Sequence, residues 1–286
     1  MSRRDVLGFG ALGLAAGVVG CSSGGERESR SGTSTSPVET SAGEWTVVWE
    51  DDFADGLDTA VWTPADDGGN RDLGELQYND PALVSVENGN LVLRARASGR
   101  DGYPYVAGSV SSKGKLTIGP YGRLTTRQLL GPGAGLGFAV ALYGEDIDVV
   151  GWPACGEIDA TEIALSRPGS PFASIHGPGY SGGSPVSATG NVPPLVDRWA
   201  EHTLDWEPSR ISWSIDGEAY HVAEASDPRA TGGWPFDQPF FITMVLTVGS
   251  ALSGPVDVET WPRDVAGNPD PYAAVDLVRF EQQAGP

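Results

Sequence analysis

The stretch GWPACGEIDATE, residues 151–162, sets three carboxylates, Glu157, Asp159 and Glu162, into an otherwise apolar, β-prone run. Side chains alternate along a strand, so Glu157 and Asp159 share one face and Glu162 points to the other. One extra residue, a β-bulge, returns Glu162 to the face of the first two. Three acids on one face repel each other and raise at least one pKa, which costs stability and serves chemistry. The chemistry it suits is retaining glycoside hydrolysis. There one carboxylate attacks the anomeric carbon, and a carboxyl about 5–5.5 Å away protonates the leaving oxygen. With a rise of about 3.3 Å per residue, the two glutamate Cα atoms lie further apart than that, so the side chains must lean together across a bent strand. Spacing alone proves nothing, because Glu50, Asp52 and Asp55 repeat the same offsets in EDDFAD.

The elements that hold these acids read as strands. From Trp45 onward, short β-type runs recur and long helical periodicity is missing. ISWSIDGEAYHV alternates Ile211, Trp213 and Ile215 with polar residues, then turns at Asp216-Gly217. NLVLRARAS follows Asn88-Gly89, and WTVVWEDDF precedes Asp55-Gly56. Two-residue turns of this kind favour hairpins, since both positions want positive φ. FFITMVLTVG, residues 240–249, is apolar on both faces, as a central strand between two layers would be. Forty glycines and 22 prolines punctuate the chain where helices would otherwise grow. Many strands without helical crossovers predict an all-β sandwich of two antiparallel sheets, in one domain over residues 45–283.

The 286 residues are 40% hydrophobic, enough to bury a core, and carry a formal charge of −20. That field repels nucleic acid and anionic lipid, so a neutral substrate, or one that is not strongly anionic, is easier to accommodate. Residues 1–21 are set aside as a leader. SRRDVL resembles a twin-arginine export signal and VVGC, ending at Cys21, resembles a bacterial lipobox. The expectation is export across the bacterial cytoplasmic membrane, with the protein lipid-anchored at the cell surface through Cys21 or secreted; an ordinary secretion signal is the alternative. Residues 22–44, rich in Ser, Thr, Gly, Glu and Arg, read as a flexible tether with an end-to-end distance of roughly 25–30 Å. Cys155 is then the one remaining cysteine, so no internal disulfide forms, and it reads as a small buried hydrophobe. His176, His202 and His221 lack metal-ligand spacing, which argues against zinc.

The acid stretch resembles the active-site strand of glycoside hydrolase family 16 in its bulged, laminarinase-like form. The resemblance runs in order through WEDDF, NRDLGELQYND, VENGNLVLRA, YGRLTTR, SIHGPGYSGG, EHTLDWEPSRISWSIDG, WPFDQPFFI and AAVDLVRFE. It implies a β-jelly-roll with a concave substrate cleft and hydrolysis of internal linkages in β-linked glucans or galactans, by a monomer needing no cofactor for catalysis. Residue by residue, Glu157 falls on the nucleophile, Asp159 on the residue that tunes it, and Glu162 on the general acid/base. His176 matches a histidine near the cleft, where the alternative is a hydrogen-bonded loop histidine. Trp152 matches a sugar-platform tryptophan, where the alternative is core packing. The family often carries a structural calcium, and Asp52, the Gly89 carbonyl and Asp276 fall on that pattern, with Asp52 in place of a usual glutamate.

The chain also departs from the family. Gly137 and Ala141 of GLGFAVA stand where tryptophans line the cleft, and Val245 where asparagine is common. The loss of two indoles implies missing stacking surface and room for a bulkier sugar. Acids kept while sugar-contacting positions change secure the chemistry more than the substrate, and the resemblance makes an endo-β-1,3-glucanase the leading expectation. A retaining hydrolase of another β-glycan, such as a galactan or a cell-envelope polymer, and a carbohydrate-binding protein without turnover remain beside it.

Overall fold

The computed structural model describes residues 44–283. The leader, Cys21 and all of the tether but Glu44 lie outside the described residues. Two sheets pack face to face. The one that matters for chemistry has seven strands, all antiparallel, in the spatial order Val186–Thr189, Phe172–His176, Glu157–Ala164, Leu136–Gly144, Phe240–Val248, Ser109–Ser111 and Thr63–Pro64. The acid strand thus lies third from one edge, supported on both sides. The eleven-stranded sheet behind it is built around Gly122–Leu130, which pairs with Trp199–Glu207 on one side and Tyr272–Gln283 on the other. Among the described residues the one α-helix is the short Ile147–Val150 segment.

The core follows from strand alternation. Leu136, Phe138, Val140 and Leu142 point inward, as do Phe240, Ile242, Met244, Leu246 and Val248. They meet Leu204, Trp206, Ile211, Trp213 and Ile215 of the opposite sheet in one buried cluster. The alternate residues, Gly137, Ala139, Ala141 and Tyr143 with Phe241, Thr243, Val245 and Thr247, therefore lie on the outer face. Phe240–Val248 is central, as its apolarity suggests, but its second face lies on the outside of the two-sheet sandwich instead of meeting another layer. Two hairpin turns behave as read: Asn88 and Gly89 have φ of 53° and 75°, and Asp216 and Gly217 have 50° and 82°. Asp55-Gly56 instead closes a local turn, with Gly56 N–H donating to the Phe53 carbonyl.

Candidate active site

The strand Glu157–Ala164 carries the bulge that the acid spacing demands. Val140 is opposite Thr161 and Ala141 is opposite Asp159, so Ala160 is the additional residue. On the other side the register with Phe172–His176 slips between Asp159 and Glu162. Ala160 and Thr161 both turn inward. Ala160 joins the core, and Thr161 Oγ1 accepts a hydrogen bond of 3.0 Å from the buried Gln128 side chain of the opposite sheet. Two consecutive inward residues bring Glu162 out beside Glu157 and Asp159.

Each acid is fixed differently. Glu157 lies opposite Tyr143 and His176 in the register, and its Oε2 accepts a 2.6 Å hydrogen bond from Trp152 Nε1. Burial, then the charge of Asp159, push the Glu157 carboxyl up to about 7, against the lowering effects of His176, Tyr143 and Trp152. Asp159 is the buried member of the set. Its Oδ2 accepts a very short hydrogen bond from Ser174 Oγ and stands 3.2 Å from His176 Nε2. Its backbone carbonyl takes the indole N–H of Trp213, at 2.8 Å from the core side. Burial raises the Glu162 carboxyl well above the ordinary range, and the charges of Asp159 and Glu157 add to this. Burial alone would lower His176, but its hydrogen bond to Asp159 and the charges of Asp159 and Glu157 leave its pKa raised overall.

The arrangement thus provides one carboxyl, Glu162, held strongly in its protonated form. Beside it lies Glu157, which ionises more readily because an indole, a phenol and an imidazole favour its charge. Paired carboxyls with separated protonation are what acid/base-assisted displacement at an acetal carbon requires. Donor atoms of Glu157, Asp159 and His176 all lie within 4.8 Å of one another, close enough to share a cation. The hydrogen bonds from Trp152 and Ser174 already engage the two carboxylates.

Trp152 is 45% exposed and not packed in the core. Its ring stands over His176, with centroids 5.9 Å apart. His176 is the last residue of a strand and faces the acids. Asp52, Gly89 and Asp276 gather on the other sheet's side of the molecule. Asp52 Oδ1 caps the Ala54 N–H, and the Gly89 turn sits against Ala54, whose Cα would be 4.0 Å from an added Cβ. Asp276 Oδ2 pairs with Arg127 at 2.8 Å, while its Oδ1 is buried with no partner.

The open cleft read from Gly137 is filled. A Cβ there would collide with Ser253 Oγ and come to 2.7 Å from Thr247 Oγ1. Ser253 is buried and bonds to Ser250, whose Oγ is 3.0 Å away, as the loop after Phe240–Val248 folds over this end of the strand. Hydroxyl groups, not empty space, replace the indole at this position.

Three site residues were not singled out from sequence. Tyr143 was within reach, because it continues the outward alternation from Gly137 through Ala141. Ser174 stands two before His176 on the same face, a signal as plain as the histidine's own. Trp213 acts through the core from the other sheet, and nothing local announces it.

Comparison with known proteins agrees with the geometry. The family model for glycosyl hydrolases family 16 matches residues 77–262. A β-glucanase of Rhodothermus marinus is 31% identical over 237 residues, covering 77% of this chain and 82% of that protein. A keratan-sulfate endo-1,4-β-galactosidase of Sphingobacterium multivorum is 29% identical over 248 residues, which cover 82% of this chain but 55% of that protein. Among solved structures, the catalytic domain of an endo-1,3-β-glucanase (laminarinase) from Thermotoga petrophila superposes with a TM-score of 0.77 at 30% identity, covering 85% of this chain and 100% of that one. With a bulged strand presenting three acids on the outer face of one sheet, and with these matches, the chain belongs to the glycosyl hydrolases of family 16.

Proposed function

We propose that the protein is a retaining endo-hydrolase of β-1,3-glucan in which Glu157 is the nucleophile and Glu162 the acid/base. The observation that carries this reading is the Ala160–Thr161 bulge, which turns Glu162 onto the face of Glu157 and Asp159. Glu157 attacks the anomeric carbon as the bond to the leaving oxygen breaks, and Glu162 gives that oxygen its proton. A water molecule then attacks the glycosyl ester, losing a proton to Glu162 and releasing Glu157. Asp159, held by Ser174 and His176, keeps a negative charge between the two glutamates. That charge favours the protonated form of Glu162, and its opposing effect on the ionisation of Glu157 is countered by His176, Tyr143 and Trp152. Trp152 orients Glu157 and offers an exposed ring to the apolar face of a sugar.

The β-glucanase and laminarinase matches favour glucan as substrate. The keratan-sulfate relative favours a galactan as the second reading. A charge of −20 opposes a sulfated polymer, so that reading applies to a neutral galactan. The deciding experiment incubates the protein with laminarin, a neutral galactan and envelope polysaccharides, sizes the products, and follows the first-formed anomer by proton NMR. Mixed-length β-anomers from laminarin support the proposal. Galactan-only cleavage moves it to the second reading, and binding without products makes the chain a lectin.

Two further elements belong to the same reading. Asp276, Asp52 and the Gly89 carbonyl would hold a structural calcium. The bare, buried Asp276 Oδ1 is the oxygen such a hard cation would take. The ion would brace the strand ends and take no part in bond cleavage. Chelation should lower Tm and added calcium restore it; a Tm indifferent to both rejects the site. The leader and Cys21 would export and lipid-anchor the domain, acting on polymer at the cell surface. Cys21→Ala should then release it to the soluble fraction, and a native protein whose intact mass carries no lipid rejects the anchor.

A further inference from the structure

Ser174 is fully buried and lies directly opposite Asp159 in the strand register, at the step where the bulge displaces Glu162. Its Oγ meets three polar groups. It donates to Asp159 Oδ2, stands 3.5 Å from Glu162 Oε2, and is 3.4 Å from His176 Nε2. A serine hydroxyl has one hydrogen and two lone pairs, so it can donate to one carboxylate at a time. Asp159 does not depend on it alone. The Nδ1 of His176 is buried with no hydrogen-bond partner, whereas Nε2 faces Asp159 at 3.2 Å, so Nε2 is the nitrogen whose N–H serves that carboxylate.

We propose that the Ser174 hydroxyl is a positioning group that changes partners during the reaction: it donates to Asp159 while Glu162 holds its proton, and turns to donate to Glu162 once that proton has gone to the leaving sugar. The inference rests on the acid/base role of Glu162 given above. No proton leaves Oγ. While Glu162 is protonated, its O–H can donate to the substrate oxygen, or to Oγ in the empty site, and Oγ donates to Asp159. After transfer, Glu162 is a buried carboxylate beside like charges, and a nearby donor is worth most there. Rotation about the serine Cα–Cβ and Cβ–O bonds supplies the donor, and His176 keeps Asp159 hydrogen-bonded meanwhile. The hydroxyl thereby holds Glu162 in place to receive the proton of the attacking water.

The groups acting on Glu162 are Asp159 and Glu157 on its own strand, Ser174 on the next, Tyr143 on the other side, and Tyr220 from the opposite sheet, while His176 acts on Asp159 and Glu157. Of these, Ser174 is the donor that lowers the Glu162 carboxyl. Removing it should therefore move the Glu162 midpoint upward, by about one pH unit for the loss of one donor to a buried charge.

The test is a carbon-13 NMR titration of Glu162 in glutamate-labelled protein, assigned through Glu162→Gln, in the wild type and in Ser174→Ala, Ser174→Cys and Ser174→Thr. Alanine should raise the Glu162 midpoint, cysteine should raise it less because a thiol is a weak donor, and threonine should leave it in place. The basic limb of kcat/KM on laminarin should shift in the same order, with KM unchanged. A hydroxyl that only fills space would lower Tm without moving the midpoint. If alanine fails to fold, the near-isosteric cysteine variant decides. An unmoved Glu162 midpoint in a folded alanine or cysteine variant overturns the proposal. Should the wild type cleave no polysaccharide, the assigned activity fails while the titration still judges Ser174.

Discussion

The indole Nε1 of Trp152 donates to Glu157 Oε2 at 2.6 Å, five positions further along the chain. A half-exposed ring suited to stacking on a sugar is thereby tied to the carboxylate that would attack it. Trp152→Phe keeps a flat surface and removes the donor, so the Glu157 carboxyl should rise above about 7. The nucleophile must be ionised, so the acid limb of kcat/KM, expected near neutrality in the wild type, should move to higher pH. Loss of activity at every pH without a shifted limb would leave Trp152 as a platform only.

Glu162 should behave as a group that must be protonated for the first step and ionised for the second. Burial and the charges of Asp159 and Glu157 raise it, so the profile should fall on the alkaline side as it ionises. Glu162→Gln should reduce laminarin hydrolysis by roughly 10²–10⁴-fold, the usual contribution of general acid/base catalysis. Aryl glycosides with good leaving groups need no proton at the first step and should form the glycosyl ester at near normal rate. Equal losses in that burst on both substrates would contradict the assignment.

The filled space at Gly137 reverses the expectation of an empty platform. Gly137→Ala forces Ser253 and Thr247 aside and should cost about 1–3 kcal/mol by overpacking, read as a lower Tm. Gly137→Trp should fail to fold or should displace the loop that carries Ser253. Pairing Gly137→Ala with Ser253→Ala should recover part of the loss. A stable Gly137→Trp variant with improved laminarin turnover would show that the loop yields and that the site was a vacated platform.

The acid strand shows what sequence could and could not reveal. Glu50, Asp52 and Asp55 share the offsets of Glu157, Asp159 and Glu162, yet Glu50 pairs with Arg279 at 2.9 Å and Asp52 caps a local turn. The difference lies in the neighbours. GEIDATE sits in an apolar run that becomes an inner strand, where a bulge is the way to avoid burying Glu162. EDDFAD runs out of an edge pairing into solvent. Alternation in ISWSIDG placed Ile211, Trp213 and Ile215 in the core, and positive φ at Asp216-Gly217 followed from the turn residues. The double-sided apolarity of Phe240–Val248, by contrast, suggested a second covering layer that is not there. What could not be read were contacts made by distant chain: Ser253 reaching Gly137, Trp213 reaching the Asp159 carbonyl, Arg127 on Asp276. Each depends on how loops and sheets meet, for which no local spacing gives a signal.

The central claim, that Glu157 is the nucleophile on a sheet whose bulge supplies Glu162 as its partner, is tested most directly by azide rescue. Glu157→Ala should lose several decades of laminarin-type turnover while keeping its fold by circular dichroism. With an activated β-glucoside and sodium azide, it should regain part of the rate and release the α-glycosyl azide, since azide enters from the face that Glu157 occupied. A β-glycosyl azide, or a Glu157→Ala protein with near wild-type turnover and no azide product, would contradict the account.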